Sequence, residues 1–271
     1  LCRWSNIPIG ELILWLNYVT IWYNLIKKRS GDNKMIYSVI NMDIVHSRKI
    51  KNRIEVQNII KNYLKSLSKK YEDKLLTPIT ITLGDEWQIV LKDISKSYTI
   101  ITEINEFLSD YDIKTYSGIG IGSISTEVYS NSSNMDGEAF INARNAINIA
   151  KKSGDTIKSK VNRVYLNEYS IMEKDEVAIS LVSDGGYPTV NISYIINALI
   201  ENTEILINKV TPKQWVIIKS YRKAGSYKKM VEDGVSNSKS DISQKLNSAE
   251  FFVIEKNIKL IEELFGNFKG V

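Results

Sequence analysis

Two aspartates, Asp43 and Asp85, are the residues of this sequence best placed to do chemistry. Asp43 lies near the end of an apolar, β-branched run, Ile36 to Val45 (IYSVINMDIV), and Asp85 stands in a Gly-Asp dipeptide that separates two β-rich runs within Ile79 to Leu91 (ITITLGDEWQIVL). A carboxylate at the end of an apolar strand is costly to bury without a partner or an ion. Mg²⁺ takes hard oxygen ligands in octahedral geometry and commonly asks the protein for one or two carboxylates, leaving phosphates and water to complete its shell. Asp43 and Asp85 supply that number, for Mg²⁺ or for Mn²⁺. The backbone carbonyl of Ile44 is a natural additional ligand, and Glu86 could support the site from outside or bind metal directly. An ion held there would lower the pKa of an attacking hydroxyl and neutralise a leaving pyrophosphate. The competing explanation is that Gly84-Asp85 is only a hairpin turn, since both residue types are favoured there for turn geometry alone.

Composition narrows the metal chemistry. The 271 residues include one Cys, Cys2, and one His, His46, which excludes an internal disulfide and a Cys/His zinc site. His46 follows Asp43 by three positions, where it could be catalytic or a structural hydrogen-bonding residue. Arg48 and Arg53 follow the same strand, and either could contact phosphate. Arg144, Lys151 and Lys152 fall in a predicted helix, Asp136 to Lys152. Arg144 and Lys151, seven residues apart, share one helical face about two turns apart. They fit phosphate binding or a solvated basic face. Gly118, Gly120 and Gly122 alternate along a strand, which suits close backbone approach to a helix or a ligand. They make no phosphate-cradling loop, because no Lys-Ser/Thr follows them.

These side chains need a frame. From Met35 the pattern reads strand, helix (Arg53 to Leu67), hairpin (Ile79 to Leu91), helix (Ile94 to Leu108), strand (Thr115 to Ile124), helix, and strand (Val161 to Leu166). The order βαββαβα predicts an α+β fold: a ferredoxin-like palm with an antiparallel sheet and helices on one face. Asp43 then ends the first strand and Asp85 sits in the adjacent hairpin, so that residues 42 positions apart meet over the central strands.

The length favours two domains, and the expected boundaries are an amino-terminal extension at 1–34, the palm at 35–171, a connecting strand and helix at 172–209, and an all-α module at 210–271. Residues 1–34 hold three of the five Trp and no Met. The apolar stretch Leu12 to Ile26, followed by Lys27, Lys28 and Arg29, is short for a bilayer span and lacks the order of a signal peptide. An accessory helix or upstream translated sequence, a docked helix, and a short membrane anchor all fit it, the anchor least well; a cytoplasmic protein is expected. In the last module Pro212 opens one helix, Gly225 ends it, a short helix covers Tyr227 to Glu232, and Ser238 or Ser240 caps a long third helix carrying Ile242, Leu246, Ala249, Phe251 and Ile254. That is helix-turn-helix spacing. Ser238, Lys239, Ser240, Ser243, Gln244 and Lys245 suit phosphate or base-edge contact with DNA, and Lys213, Lys219, Arg222, Lys223, Lys228 and Lys229 concentrate part of the +5 net charge nearby. A protein-interaction module would reuse the same shape, and the long third helix, running to Leu264, would offer an apolar stripe to a dimer partner.

Three segments carry a resemblance to known families. MDIVHSR at Met42 to Arg48 resembles the metal-binding strand of class III nucleotide cyclases. LGDEWQIVL at Leu83 to Leu91 resembles their Gly-Asp hairpin, and equally the GGDEF signature of diguanylate cyclases with Leu83 and Trp87 in place of Gly and Phe. Taken together, DIVHSRKIKNR, TITLGDEWQ and DGEAFINARNAINIAKKSG most closely resemble the SatD family, from Met35 to roughly Phe265. The resemblance implies a nucleoside triphosphate bound with Mg²⁺ by Asp43, Asp85 and Gly84. It implies attack of a ribose hydroxyl on the α-phosphate, with Arg144 and Lys151 stabilising phosphate charge, and a homodimer, since such cyclases complete their sites between subunits. Class III cyclases place an Asn four residues before the Arg; here that position is Phe140, a departure that bears on transition-state stabilisation. The alternative is a non-catalytic DNA-binding regulator with a degenerate cyclase-like domain.

Overall fold

The computed structural model describes residues 35–156, 163–168 and 192–266. Contacts divide the chain into two units, Leu1–Met35 with Lys269–Val271, and Ile36–Phe268; the sheet and its helices belong to the second. The amino-terminal extension, and most of the segment expected to connect palm and helical module before Ile192, lie outside the described residues.

Strand β1 (Tyr37–Ile44) is the centre of a five-stranded sheet ordered β2-β3-β1-β4-β5, with β2 at Thr80–Leu83, β3 at Glu86–Leu91, β4 at Thr115–Gly122 and β5 at Arg163–Glu168. β1 pairs antiparallel with β3 and β4, while β4 and β5 run parallel. Alternation along the strands separates two faces. One carries Ile40, Met42, Ile44, Trp87, Ile89, Ile119 and Ile121, all buried, against helices α1 (Arg53–Lys70) and α2 (Ser97–Ser109). In α1 the buried Ile60, Leu64 and Leu67 recur at helical spacing.

The other face is covered by α3 (Glu138–Thr156), which corrects the expectation of an antiparallel sheet with helices on one face only. A parallel strand pair needs a crossover connection, and α3 is the crossover from β4 to β5. It takes the face that β4 leaves bare of side chains. An added Cβ at Gly118 or Gly120 would lie 2.2 Å from Ile147 N or 2.1 Å from Ala143 N. Val39, Val90, Phe140 and Ala143 seal this second, smaller core.

The carboxy-terminal helices are α4 (Ile192–Ile207), α5 (Pro212–Ala224), α6 (Tyr227–Glu232), α7 (Lys239–Ser248) and α8 (Phe251–Gly266). Thr211 and Gln214 form a capping box at the start of α5, and Gly225 ends it in the left-handed conformation that glycine adopts readily. Ser238 caps α7 by accepting from Asp241 N. The expected long third helix is two helices, broken where Glu250 takes a φ of 53°. The break redirects α8: Phe251 and Ile254 stay with the helical cluster, while Ile261 and Phe265 enter the core under the sheet with Ile196 and Ile200 of α4. Much of the apolar stripe expected to face a dimer partner is therefore buried within the chain, and the main core does not follow the domain boundaries expected from sequence. Arg222 bridges Glu106 of α2 and Glu255 of α8, and Lys219 pairs with Asp110 at 2.7 Å. Two cations assigned to the basic module thus face carboxylates of the palm, on α2 and just beyond its end. Among the described residues no helix is long and apolar enough to cross a membrane.

Candidate metal and nucleotide site

Asp43 lies on the α3 side of β1, directly opposite Glu86 of β3 and Tyr116 of β4. Like charges opposed across neighbouring strands repel, and a cation stands between them. Lys151 Nζ lies 2.6 Å from Asp43 Oδ2 and 3.5 Å from Glu86 Oε1. Burial acts to lower the Lys151 pKa, but the hydrogen bond and charge of Asp43, with Glu86 behind it, outweigh that effect and hold the ammonium above the ordinary lysine value.

The register of α3 on β4 brings Lys151 there. Gly122 abuts Glu138 and Ala139, Gly120 abuts Ala139 and Ala143, and Gly118 abuts Ala143 and Ile147. The next turn carries Lys151, and the next β4 residue on that face after Gly118 is Tyr116, the β4 partner of Asp43. Arg144 sits seven residues earlier, about 10 Å back along the axis. It is exposed and pairs with none of Asp43, Asp85 or Glu86. The structure thus joins Lys151 to the carboxylates and leaves Arg144 apart. Lys152 is exposed on the same helix.

Asp85 occupies the turn between β2 and β3, and Ile44 N donates to its carbonyl at 3.2 Å, tying the end of β1 to the hairpin. Its Oδ2 accepts from Ser47 Oγ and lies 3.8 Å from Arg53 Nη2. Gln57 Nε2 donates to Gly84 O at 2.8 Å. The loop from β1 to α1 wraps back onto the hairpin because His46 and Asn52 take left-handed φ values of 55° and 53°, a region that His and Asn enter more readily than most residues. His46 and Arg48 are both exposed.

Ser47, Gln57, Asn41 and Gln88 were not singled out from sequence. Gln88 Nε2 donates to Asn41 Oδ1 at 2.9 Å, one pair along the same face from Asp43 and Glu86. The period-two polarity of Asn41 and Asp43, and of Glu86 and Gln88, was the signal for that pair. Nothing in the local pattern distinguishes Ser47 or Gln57.

The donor set fits a hard divalent ion. Asp43 Oδ2 faces Lys151, and Asp85 Oδ2 faces Ser47 and Arg53, so both carboxylates already attract cations or donors and offer the hard oxygens such an ion takes. Ile44 buries its side chain in the core and adds only backbone. Among the described residues no three His, Cys, Asp or Glu side chains converge, so Asp43, Asp85 and Glu86 are not a three-carboxylate cage. An ion here would draw its remaining ligands from phosphate and water. Beside Gly84 opens a cleft of about 640 Å³ between α1 and the hairpin, with Ile44, Ile60 and Trp87 among its apolar lining and Gln57, Asn58 and Lys61 among its polar lining. That volume suits a small-molecule ligand.

The second candidate surface is α7. Ile242 and Leu246 are buried, whereas Ser238, Lys239, Ser240 and Gln244 are exposed and Ser243 and Lys245 half-buried. Ser238 Oγ is engaged as the helix cap, and Lys245 pairs with Asp241 at 2.7 Å.

Among solved structures, the adenylyl cyclase CyaB from P. aeruginosa is similar at 13% identity and a TM-score of 0.34, over 46% of this chain and 82% of that one. No curated protein matches. The family model of the SatD family matches residues 37–264, a span that runs from the start of β1 through most of α8 and includes Asp43, Asp85 and Lys151. The chain belongs to the SatD family.

Proposed function

We propose that this chain binds a nucleoside triphosphate with Mg²⁺ or Mn²⁺ at the junction of β1 and the β2–β3 hairpin of a cyclase-type palm, and contacts DNA through α6 and α7. The observation that carries the first part is the Ile44 N to Asp85 O bond, which ties the end of β1, with Asp43, to the hairpin turn that carries Asp85. Lys151, Arg53 and Ser47 surround them with donors suited to phosphate oxygens. When bound, a divalent ion supplies charge neutralisation and lowers the pKa of a nearby hydroxyl. The residues then orient the triphosphate so that a ribose hydroxyl can attack the α-phosphate, displacing pyrophosphate. By resemblance to enzymes that complete their sites between subunits, the active unit is a homodimer.

Titration with each of the four ribonucleoside triphosphates in MgCl₂, followed by mass spectrometry of products, tests this reading. Asp43→Asn and Asp85→Asn are each expected to weaken magnesium-dependent binding at least about tenfold, the scale of one lost charge-assisted ligand. Nucleotide binding unaffected by either change would sink it.

A second reading, a non-catalytic regulator, is favoured by two residues. Phe140, at the position of the cyclase asparagine, is buried in the α3 core, and Arg144 is remote from the carboxylates. Binding without any cyclic or linear product would select this reading.

The exposed first turns of α7 support DNA contact. Lys239→Glu with Gln244→Glu is expected to reduce affinity for random duplex DNA at least about tenfold, with a shallower salt dependence. Equal affinity in a gel-shift titration across two salt concentrations would remove α7 from the interface.

A further inference from the structure

We propose that Lys151 is the resident counter-ion of the Asp43–Glu86 pair, and that a divalent cation reaches Asp43 only by displacing it. The proposal rests on the reading that Asp43 holds the ion, and it adds how ion and nucleotide become coupled. Asp43 and Glu86 are direct cross-strand partners, a placement that isolated carboxylates tolerate poorly. The Lys151 ammonium, within 4 Å of both, offsets the repulsion. A divalent ion on Asp43 would sit about 2 Å from a carboxylate oxygen, within a few ångströms of an ammonium already 2.6 Å from Oδ2. Two cations that close repel strongly at the effective dielectric of a half-buried site.

The repulsion has one easy outlet. Helix α3 cannot retreat without breaking its contact with Gly118 and Gly120, but the Lys151 side chain is 36% exposed on a flexible stem and can swing away. A polyphosphate beside the site gives the released ammonium a new partner. Metal alone therefore binds weakly, and metal with polyphosphate binds cooperatively, because the anion stabilises the displaced lysine.

The test measures free Mn²⁺ by electron paramagnetic resonance against the full chain, with and without inorganic triphosphate. Lys151→Gln is expected to bind Mn²⁺ alone about tenfold tighter than wild type and to show less enhancement by triphosphate. Lys151→Arg is expected to keep the weak, triphosphate-enhanced binding. Lys49→Gln, which removes an equal charge from the exposed loop after β1, should change Mn²⁺ affinity less than about twofold. Unchanged or weaker Mn²⁺ binding by Lys151→Gln overturns the proposal. If Asp43→Asn abolishes Mn²⁺ binding while Lys151→Gln leaves it unaltered, the Lys151 proposal alone fails. If Asp43→Asn has no effect, or no variant binds Mn²⁺, the metal reading falls and takes the proposal with it. Should Lys151→Gln fail to fold, the double change Glu86→Gln with Lys151→Gln removes the cross-strand repulsion and is expected to show the same tightening.

Discussion

Replacing Gly120 with alanine is expected to destabilise the protein by about 3 kcal/mol or more, at the upper end of overpacking penalties. For a chain of this size that corresponds to a fall in melting temperature of about 6 to 12 °C. The reason is the identity of what the new methyl would meet. At Gly120 the added Cβ would lie 2.1 Å from Ala143 N and 2.2 Å from Ala139 O, and both are backbone atoms of α3 rather than the movable end of a side chain. The helix would have to lift, which opens the small core of Val39, Val90, Phe140 and Ala143 and draws Lys151 off Asp43. A steric cause also predicts the control. Gly266→Ala, whose Cβ would meet nothing nearer than Ser95 Cβ at 3.9 Å among the described residues, should melt close to wild type. A Gly120→Ala protein that melts within about 2 °C of wild type would show that α3 is not locked by the glycine ladder.

The same ladder shows where sequence reading succeeded and where it stopped. Alternating Gly118, Gly120 and Gly122 announced a close backbone approach, and the strand-hairpin pattern placed Asp43 and Asp85 at adjacent chain ends, because both are consequences of local periodicity and turn chemistry. What lay over the glycines depended on which face the crossover helix takes, which no local pattern states. Helical spacing therefore grouped Arg144 with Lys151 correctly on one face but could not tell which of them the strand register would bring to a carboxylate. It is Lys151, because the residues that abut the glycines, Ala139, Ala143 and Ile147, recur at four-residue steps whose next member is Lys151, 2.6 Å from Asp43.

The carboxy-terminal helices show a similar limit. Thr211, Pro212, Gly225 and Ser238 punctuate them as capping rules require. Glu250 carries no such signal, yet its left-handed backbone splits the third helix. The charges of Lys219 and Arg222 read as a DNA-facing excess until Asp110, Glu106 and Glu255 supplied their partners from elsewhere in the chain. Lys219–Asp110 and Arg222–Glu106 each join residues more than a hundred positions apart, and such pairs are set by tertiary packing alone.

Raising the pH from about 4 to about 8 is expected to remove about 3 kcal/mol of stability through one residue, Glu204 of α4, and Glu204→Gln should abolish that loss. Glu204 is 4% exposed between α4 and α2, where Tyr98 OH donates to its Oε1 at 2.9 Å while Oε2 has no hydrogen-bond partner among the described residues. Burial pushes its pKa up to about 7, against the smaller opposing effects of the Tyr98 hydrogen bond and the charge of Lys114. The unfolded chain ionises this group near the ordinary glutamate value of about 4.3 to 4.5. The sign follows from that order: below the unfolded pKa both states are protonated and the full stability is present. Between the two values the unfolded chain loses its proton and the folded one keeps it, so folding weakens as pH rises, until the folded carboxyl also ionises near 7. A gap of about 2.5 pKa units at 1.36 kcal/mol each gives the expected loss. The neighbours do not supply a rival titration in this window. Tyr98 is itself held well above its ordinary pKa by burial, with Glu204 adding to the effect. Glutamine keeps the oxygen that Tyr98 needs and carries no charge to bury. Denaturant unfolding of both proteins from about pH 4 to about pH 8 decides the matter: the wild-type stability should fall relative to Glu204→Gln by about 3 kcal/mol, and parallel curves would show that this carboxyl does not change charge inside the fold.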